Sequence, residues 1–293
     1  MRILHLDDGR GMRGGQWQVL RLIEGLAAAG VESTLLARQG GPLAAESAKR
    51  GWRVEPLDYL RAAKLARRHD LIHAHEAHGH TIGVVVRGAP LVVSRRVAFE
   101  PVSGWKYSRA RHYLAVSEFI KKVLLLGHVP ENRISVVYDG VPLVEIAAGG
   151  RVLALANFDD PQKAAPVAME AGRLAGVEIE FTRDLEQDLH HAAVFLYLTH
   201  AEGLGSAALL AMSAGVPVIA SRVGGLTEVV RDRETGILVQ NDPREVAAAL
   251  AELIADPALG RRMGRAARRV VTENFTVDHM VRRTMDVYQK VLS

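Results

Sequence analysis

The chain alternates. Apolar runs of about four to eight residues recur along it, and most of the gaps between them hold amphipathic helical stretches. ILHL (3–6) reads as a strand. The stretch 15–29 reads as a helix, because Val19, Leu22, Ile23 and Leu26 form one stripe at i, i+3, i+4 and i+7. Gly30 stands where a helix C-cap belongs, and VESTLLA (31–37) follows as the next strand. WRVEPL (52–57), LIHAH (71–75), PLVVS (90–94), HYLAVS (112–117) and ISVVY (134–138) continue the series. Repeated strand–helix–strand units form parallel sheets covered on both faces.

VPLVEIAAGG (141–150) reads as a linker between domains, and the rhythm then restarts. Its strands are RVLALANF (151–158), VEIEFT (177–182), VFLYLT (194–199), VPVIAS (216–221) and GILVQ (236–240). Helices cover 162–175, 206–214, 243–255 and 257–273. A last helix, 276–292, carries Val277, Met280, Val281, Tyr288, Val291 and Leu292 along one side. Two such halves in 293 residues match two α/β domains of ordinary size. Two Rossmann-like domains facing each other place a ligand in the cleft at the C-terminal ends of the strands.

Composition excludes other classes. With 48% hydrophobic and 24% charged residues the chain is globular rather than disordered. No apolar run approaches the roughly 18 to 20 residues that span a bilayer. The start, MRILHLDDGR, has too short an apolar stretch for a signal-peptide core, so the expected location is the cytoplasm. Zero cysteines exclude disulfides, thiolate metal sites and a cysteine nucleophile. The net charge of +4 comes from basic residues scattered along helices, and no nucleic-acid partner is assigned.

DDGRGMRGG (7–15) contains Gly9-x-Gly11-x-x-Gly14, the spacing of a dinucleotide fingerprint. Arg38, at the end of the second strand, suits a 2′-phosphate, so an NADP-dependent oxidoreductase is one reading. Against it, Asp7 and Asp8 stand between strand and glycine, and two carboxylates repel a pyrophosphate. A better reading lets Gly14 and Gly15 bring the loop and the next helix start close to a phosphate or sugar. HAHEAHGH (73–80) sets four histidines around Glu76. His73 and His75 share one strand face, as metal ligands would, but no further ligand set is evident and no metal is assigned. The expectation is a strand end whose last histidine, His75, looks into the cleft.

The second glycine loop carries more chemistry. In AVFLYLTHAEGLGSAALLAMSAGVPVIAS (193–221) the strand ends near Thr199, Gly203 and Gly205 free a tight turn around Leu204, and Ser206 opens a helix. Unpaired N–H groups at that helix start favour an anion, above all a diphosphate. Glu202 beside it is a strong acceptor whose natural partner is a sugar diol. Gly215 ends the helix, and Val223-Gly224-Gly225 forms a second loop offering free backbone N–H groups to phosphate. The plain alternative is that both loops are only tight βα connections.

EGLG (202–205), AM (211–212), GVPVIAS (215–221), VGG (223–225), EVV (228–230) and TGILV (235–239) together resemble the donor-binding half of retaining GT-B glycosyltransferases of the family 4 type. Gly14-Gly15 before an amphipathic helix, DLIHAH (70–75), AVSEFIKKVLL (115–125) and VPENRISVVYDGV (129–141) resemble the acceptor half. The resemblance covers nearly the whole chain. It implies an α/β GT-B fold. Residues 1–145 are then a Rossmann-like acceptor domain, 146–275 a Rossmann-like nucleotide-sugar domain, and 276–293 a C-terminal helix packing back on the first domain. It also implies transfer of a sugar from a nucleotide sugar, UDP- or GDP-type as substrate, to an acceptor hydroxyl with retention and without metal or other cofactor. On this basis Glu202 and Lys163 are the catalytic residues. Asn157, Gly203, Leu204, Gly205, Ser206, Leu210, Gly224 and Gly225 bind the donor, and Gly14, Gly15, His75, Arg95 and Arg96 line the acceptor side.

The chain departs from the family pattern in four places. Leu210 stands eight residues after Glu202, where the family carries a second Glu that grips the ribose. Losing a carboxylate that takes two hydroxyl hydrogen bonds costs about 1–3 kcal/mol of donor affinity. Asn157 replaces an Arg of the family's diphosphate-binding run, of which Lys163 keeps the Lys. Only 26 residues separate Lys163 from His190, which trims the second domain and points to an incomplete base-binding wall. Ser94-Arg95-Arg96 stands where many relatives place a donor-contacting His, so Arg95 and Arg96 are expected to face the cleft and meet an anionic acceptor.

Across 87–111, Arg87, Arg95, Arg96, Lys106, Arg109 and Arg111 stand against Glu100 alone, beside the exposed-aromatic candidates Phe99, Trp105 and Tyr107. That suits a glycan or lipid-linked acceptor, such as lipopolysaccharide or another envelope glycolipid, and a peripheral contact with the inner membrane. A solvated basic helix is the equal alternative. Leu210 and Asn157 also fit a weakened or non-catalytic GT-B protein that binds nucleotide sugar.

Overall fold

The computed structural model describes residues 1–101, 104–158, 160 and 162–293. Val102 and Ser103 of the basic stretch, and Asp159 and Pro161 of the run 156–165, lie outside the described residues. The chain divides into two compact units, Met1–Gly140 with Val277–Ser293, and Val141–Thr276. The division falls after Gly140, against the boundary after residue 145 drawn from the sequence.

Among the described residues the first unit holds seven strands. They are β1 (Arg2–Asp7), β2 (Glu32–Ala37), β3 (Val54–Pro56), β4 (Leu71–Ala74), β5 (Leu91–Arg95), β6 (His112–Ala115) and β7 (Ile134–Val136). Their order is β3-β2-β1-β4-β5-β6-β7, with every neighbour parallel. The order reverses between β1 and β4, so the loops leaving these two strands emerge side by side.

The apolar stripe read in the sequence splits between two clusters. Helix Gly14–Ala28 turns Val19, Leu20 and Ile23 toward Leu35, Ala37 and Leu43. It turns Leu22 and Leu26 toward Met280, Val281 and Tyr288 of the last helix, Val277–Leu292. Gly25 makes room for that crossing, because a Cβ there would stand 2.5 Å from Val281 Cγ2. The last helix thus completes the core of the first unit, although it follows the second unit in sequence.

The second unit holds β8 (Arg151–Leu155), β9 (Ile179–Thr182), β10 (Ala192–Tyr197), β11 (Val218–Ser221) and β12 (Gly236–Val239). They run parallel in the order β12-β11-β10-β8-β9. Val152, Val194, Leu196 and Ile219 pack against Val246 and Leu250 of helix Pro243–Ala255. Here the order reverses between β8 and β10, which brings residues 162–164 beside 198–200.

The stretch 141–150 is a strap on the second unit rather than a free linker. Val141 donates its N–H to the Phe275 carbonyl at 2.9 Å, Ala147 to Ala214 at 2.9 Å, and Ala148 to His190 at 3.1 Å. Arg268 reaches the Val144 carbonyl at 2.7 Å. These acceptors lie far along the chain, which is why a linker-like composition hides the strap. Among the described residues no helix is long and apolar enough to cross a membrane.

Candidate functional site

The loop after β10 leads into helix Ser206–Ser213 through Gly205, whose φ of 107° is left-handed. A side chain there would be strained, and its Cβ would stand 2.5 Å from Leu226 Cδ2. Gly225, in the following loop, packs backbone to backbone against Gly203 and donates its N–H to the Glu202 carbonyl at 3.1 Å. The two glycine loops are therefore one packed body. The Gly225 N–H is already satisfied and is not the free phosphate donor expected from the sequence; its neighbour Gly224 carries the bend with φ 50°. Leu204 is buried and anchors the turn. The first helical N–H to find an acceptor in the turn is that of Leu209, bonded to the Gly205 carbonyl at 3.0 Å. The N–H groups of 206–208 have no intrahelical acceptor, as at any helix start.

The same end of the sheet brings three polar side chains into contact. An antiparallel bridge joins Lys163 to Thr199. His200 N–H to the Gln162 carbonyl at 2.8 Å and Ala164 N–H to the Leu198 carbonyl at 3.1 Å reinforce it. Lys163 Nζ donates to Glu202 Oε2 at 2.9 Å and to Tyr197 Oη at 3.0 Å. Tyr197 Oη donates to the same Glu202 oxygen at 2.5 Å, and Glu202 Oε1 accepts the Gly203 N–H at 3.1 Å. Burial, with the Glu202 charge beside it, holds the Tyr197 phenol well above its usual pKa, so it remains a donor. The sequence assigns Glu202 to a sugar and Lys163 to a diphosphate as separate posts; the structure joins them in one ion pair, with side chains 19% and 18% exposed.

Asn157 sits in the loop after β8 and accepts the Asp160 N–H at 3.3 Å. With Lys163, Tyr197 and Phe181 it lines a cavity of about 20 Å³, room for one water. Tyr197 is the residue that sequence reasoning missed. Inside AVFLYLT it reads as one more apolar strand residue, and that β10 stops at Tyr197, short of the end near Thr199 read from the sequence, is visible only in the structure. Leu210 is buried, 6% exposed, within a helix sunk in the core from Ala208 to Ser213.

At the reversal point of the first unit the three carboxylates Asp7, Asp8 and Glu76 each have partners. Asp7 accepts the Gly9 N–H at 2.8 Å and Gln16 Nε2 at 3.1 Å, and burial pushes its pKa up. Asp8 takes Arg38 Nη2 at 2.5 Å and His78 Nδ1 at 2.8 Å. Glu76 caps helix Ala77–Val85 by accepting the N–H groups of His78, at 2.5 Å, and Gly79. A Cβ on Gly9 would collide with the Gln16 amide. The G-x-G-x-x-G loop is thus a cap folded onto Asp7, and Arg38 is committed to Asp8 rather than offered to a 2′-phosphate. The oxidoreductase reading fails on both points.

Gly14 opens the first helix, and a Cβ on Gly15 would stand 3.8 Å from Arg96 Cδ. Arg96 is not a free cation. Its Nη2 pairs with Asp139 Oδ1 at 3.0 Å, with both side chains largely buried. Arg95 donates to Tyr107 Oη at 2.8 Å and to the Phe99 carbonyl. Both arginines were expected to face the cleft and meet an anionic acceptor; in the structure each also has partners within its own unit.

His75 is also corrected. It is buried, with Nε2 2.9 Å from His5 Nδ1. His5, His73 and His75 form a cluster in which one ring nitrogen from each lies within 4.8 Å of the others. His73 already faces Tyr288 Oη at 2.6 Å and Ser94 Oγ at 2.8 Å. Burial lowers the pKa of all three, that of His5 to about 3. The sequence could not supply His5, because only the β1–β4 register, which pairs it with His73, brings it there. Tyr107 is buried and stacked on Tyr113 at 5.7 Å, not exposed. Phe99 and Trp105 are exposed, with Arg109 5.2 Å over the Trp105 ring.

Matches to known proteins follow the two units. The Glycosyltransferase Family 4 model matches residues 12–145, and the Glycosyl transferases group 1 model matches residues 177–270. The alpha-maltose-1-phosphate synthase of Mycolicibacterium smegmatis is 37% identical over 155 residues, 48% of this chain and 40% of that protein. A D-inositol 3-phosphate glycosyltransferase of Streptomyces avermitilis is 45% identical over 98 residues, 33% of this chain and 21% of that protein. The match thus spans 40% or less of the length of these curated relatives. Anabaena HepE, solved in complex with UDP-glucose, aligns at a TM-score of 0.88 and 16% identity, over 99% of this chain and 100% of that one. A glycosyltransferase from Rickettsia africae aligns at 0.82 and 18% identity, over 100% and 98%. At those identities the likeness to the solved structures is one of fold.

Proposed function

This chain belongs to the GT-B glycosyltransferases of the family 4 type, and we propose that it moves a sugar from a nucleotide-sugar donor to an acceptor hydroxyl with retention of anomeric configuration. The contact of Lys163, Tyr197 and Glu202 at the β8/β10 reversal, beside the helix start at Ser206, carries the reading. It places a cation and backbone dipoles, suited to a diphosphate, next to a carboxylate suited to sugar hydroxyls. Charge developing on the leaving diphosphate is met by the N–H groups of 206–208 and by Lys163. The departing phosphate oxygen takes the proton of the incoming hydroxyl on the same face of the sugar, while Glu202 positions the donor. No step falls to a divalent cation, so chelation with EDTA should leave turnover unchanged.

HepE, of the same fold, was solved with UDP-glucose, which makes a UDP-sugar the first donor to test and a GDP-sugar the second. The proposed acceptor is a glycan carried on lipid, lipopolysaccharide or another envelope glycolipid, met from the cytoplasmic side of the inner membrane. Exposed Phe99, and exposed Trp105 with Arg109 over its ring, support such a surface. Calorimetry against UDP, GDP and their sugars, followed by an assay for nucleotide release with acceptor, tests the reading. Binding with acceptor-dependent release is expected, and no binding at millimolar nucleotide overturns it.

Leu210 favours a second reading, a GT-B protein that binds nucleotide sugar without efficient transfer. Leu210→Glu separates the two. An enzyme with a weak ribose grip gains about tenfold in donor affinity, about 1.4 kcal/mol. A protein that does not use that wall gains no affinity, while stability falls under either reading because position 210 is buried.

A further inference from the structure

We infer that Tyr197 is a positioning residue of the donor site, its hydroxyl holding the Glu202 carboxylate in place when Lys163 is drawn onto a donor diphosphate. The inference rests on the donor reading given above for this cluster. The hydrogen bonds of Glu202 lead to it. An ionised carboxylate offers about four acceptor positions. Oε1 is filled once, by the Gly203 N–H at 3.1 Å. Oε2 is filled twice, by Tyr197 Oη at 2.5 Å and Lys163 Nζ at 2.9 Å. One position, on Oε1, stays open for a sugar hydroxyl.

Lys163 has a choice of partners. It lies in a loop, and a diphosphate carries more negative charge than one carboxylate, so a bound donor competes for its ammonium. Tyr197 has no such freedom. Its ring is buried at the end of β10 and stacks on Phe195 with centroids 6.0 Å apart. When Lys163 moves, a second acceptor position opens on Oε2 while Tyr197 keeps the other occupied. The carboxylate then presents one open position on each oxygen in an unchanged orientation, which fits two neighbouring hydroxyls. Tyr197 Oη also accepts from Lys163 Nζ at 3.0 Å, a bond given up when Lys163 turns to the diphosphate, so in the bound state Tyr197 acts on the sugar through Glu202.

Calorimetry with UDP and UDP-glucose, and with GDP and GDP-mannose, tests this on the full chain. The proteins are wild type, Tyr197→Phe, Glu202→Gln, the double variant and Lys163→Met. Tyr197→Phe keeps the ring and removes only the hydroxyl. It should leave the Kd of the free nucleotide within about twofold and weaken the nucleotide sugar by about 10- to 100-fold, the scale of one hydrogen bond to a charged group. The double variant should bind nucleotide sugar no more weakly than Glu202→Gln alone. Lys163→Met should weaken both ligands about equally, because Tyr197 still holds Glu202.

Equal weakening of nucleotide and nucleotide sugar in Tyr197→Phe overturns the inference, since a merely structural role predicts that. Additive losses in the double variant overturn it too. If Tyr197→Phe does not fold, Lys163→Met decides alone, because selective loss of the nucleotide sugar there shows that Lys163, not Tyr197, holds the carboxylate. Wild type that binds no nucleotide overturns the donor reading as well. Wild type that binds nucleotide sugar, with Tyr197→Phe unchanged, overturns this inference only.

Discussion

The two units carry the same device, a parallel sheet whose strand order reverses so that two loops meet at its C-terminal edge. They fill it differently. At the β1/β4 reversal the carboxylates are taken up by groups of the same unit. Asp8 holds Arg38 and His78, Asp7 holds Gln16 and Gly9, and Glu76 caps a helix. At the β8/β10 reversal Lys163 and Tyr197 converge on one oxygen of Glu202, next to a helix start and with an acceptor position left over. Both loops contain Gly-x-Gly. Glycine spacing alone therefore does not mark a ligand site; the partners of the neighbouring charges do.

Acid gives the widest separation between the units. The buried histidines found among the described residues all lie in the first. His5, His73 and His75 are held below the ordinary imidazole value by burial, His5 at about 3. Between that value and about 6.5 the unfolded chain binds more protons than the folded one. Stability is therefore full above about pH 6.5 and falls as pH falls, by about 1.4 kcal/mol per pH unit for each imidazole kept neutral. Trp17, Trp52 and Trp105, the three tryptophans, all lie in the first unit. From pH 7 to pH 5 the urea midpoint by tryptophan fluorescence should drop further than the midpoint by far-UV circular dichroism. Coincident curves at both pH values would erase the contrast.

Activity separates the two reversal points next. Glu202→Gln should lower kcat/KM about 100-fold, about 2.7 kcal/mol of transition-state stabilisation. Asp8→Asn, at the matching loop of the first unit, should change it by less than about threefold. Comparable losses would mean that the first loop also handles substrate. A smaller effect concerns packing alone. Gly25→Val drives a side chain into Val281 and should destabilise the protein by about 1–3 kcal/mol in urea denaturation, leaving nucleotide affinity unchanged. The smallest concerns Arg38. Its pair with Asp8 is partly exposed, with Arg38 at 38%, so Arg38→Gln should shift stability by less than about 1 kcal/mol. Fluorescence titration should show no NADPH binding before or after the change.

Much of the architecture is legible in the sequence because periodicity is local. Val19, Leu22, Ile23 and Leu26 are placed along the helix by its own period and all four are buried, although the tertiary structure divides them between two clusters. Gly205 is legible for the same reason, since a turn that sharp between a strand and a helix needs a residue free to adopt positive φ. The strap 141–150 is not legible, because its carbonyl partners at His190, Ala214 and Phe275 carry no pattern in the strap's own residues.

The site divides along the same line. Sequence by itself determined the strand–helix rhythm, the glycine turns and the presence of Glu202 and Lys163. Only the tertiary structure decided whom the charges serve. Lys163 meets Tyr197 and Glu202 across 34 and 39 residues, Asp8 meets Arg38 across 30, and His5 meets His75 across 70. Strand order sets those meetings, and it is fixed by which apolar faces pack together rather than by any neighbour in the chain. A lysine near a carboxylate-bearing loop is a donor contact or a structural pair according to geometry that local spacing does not encode.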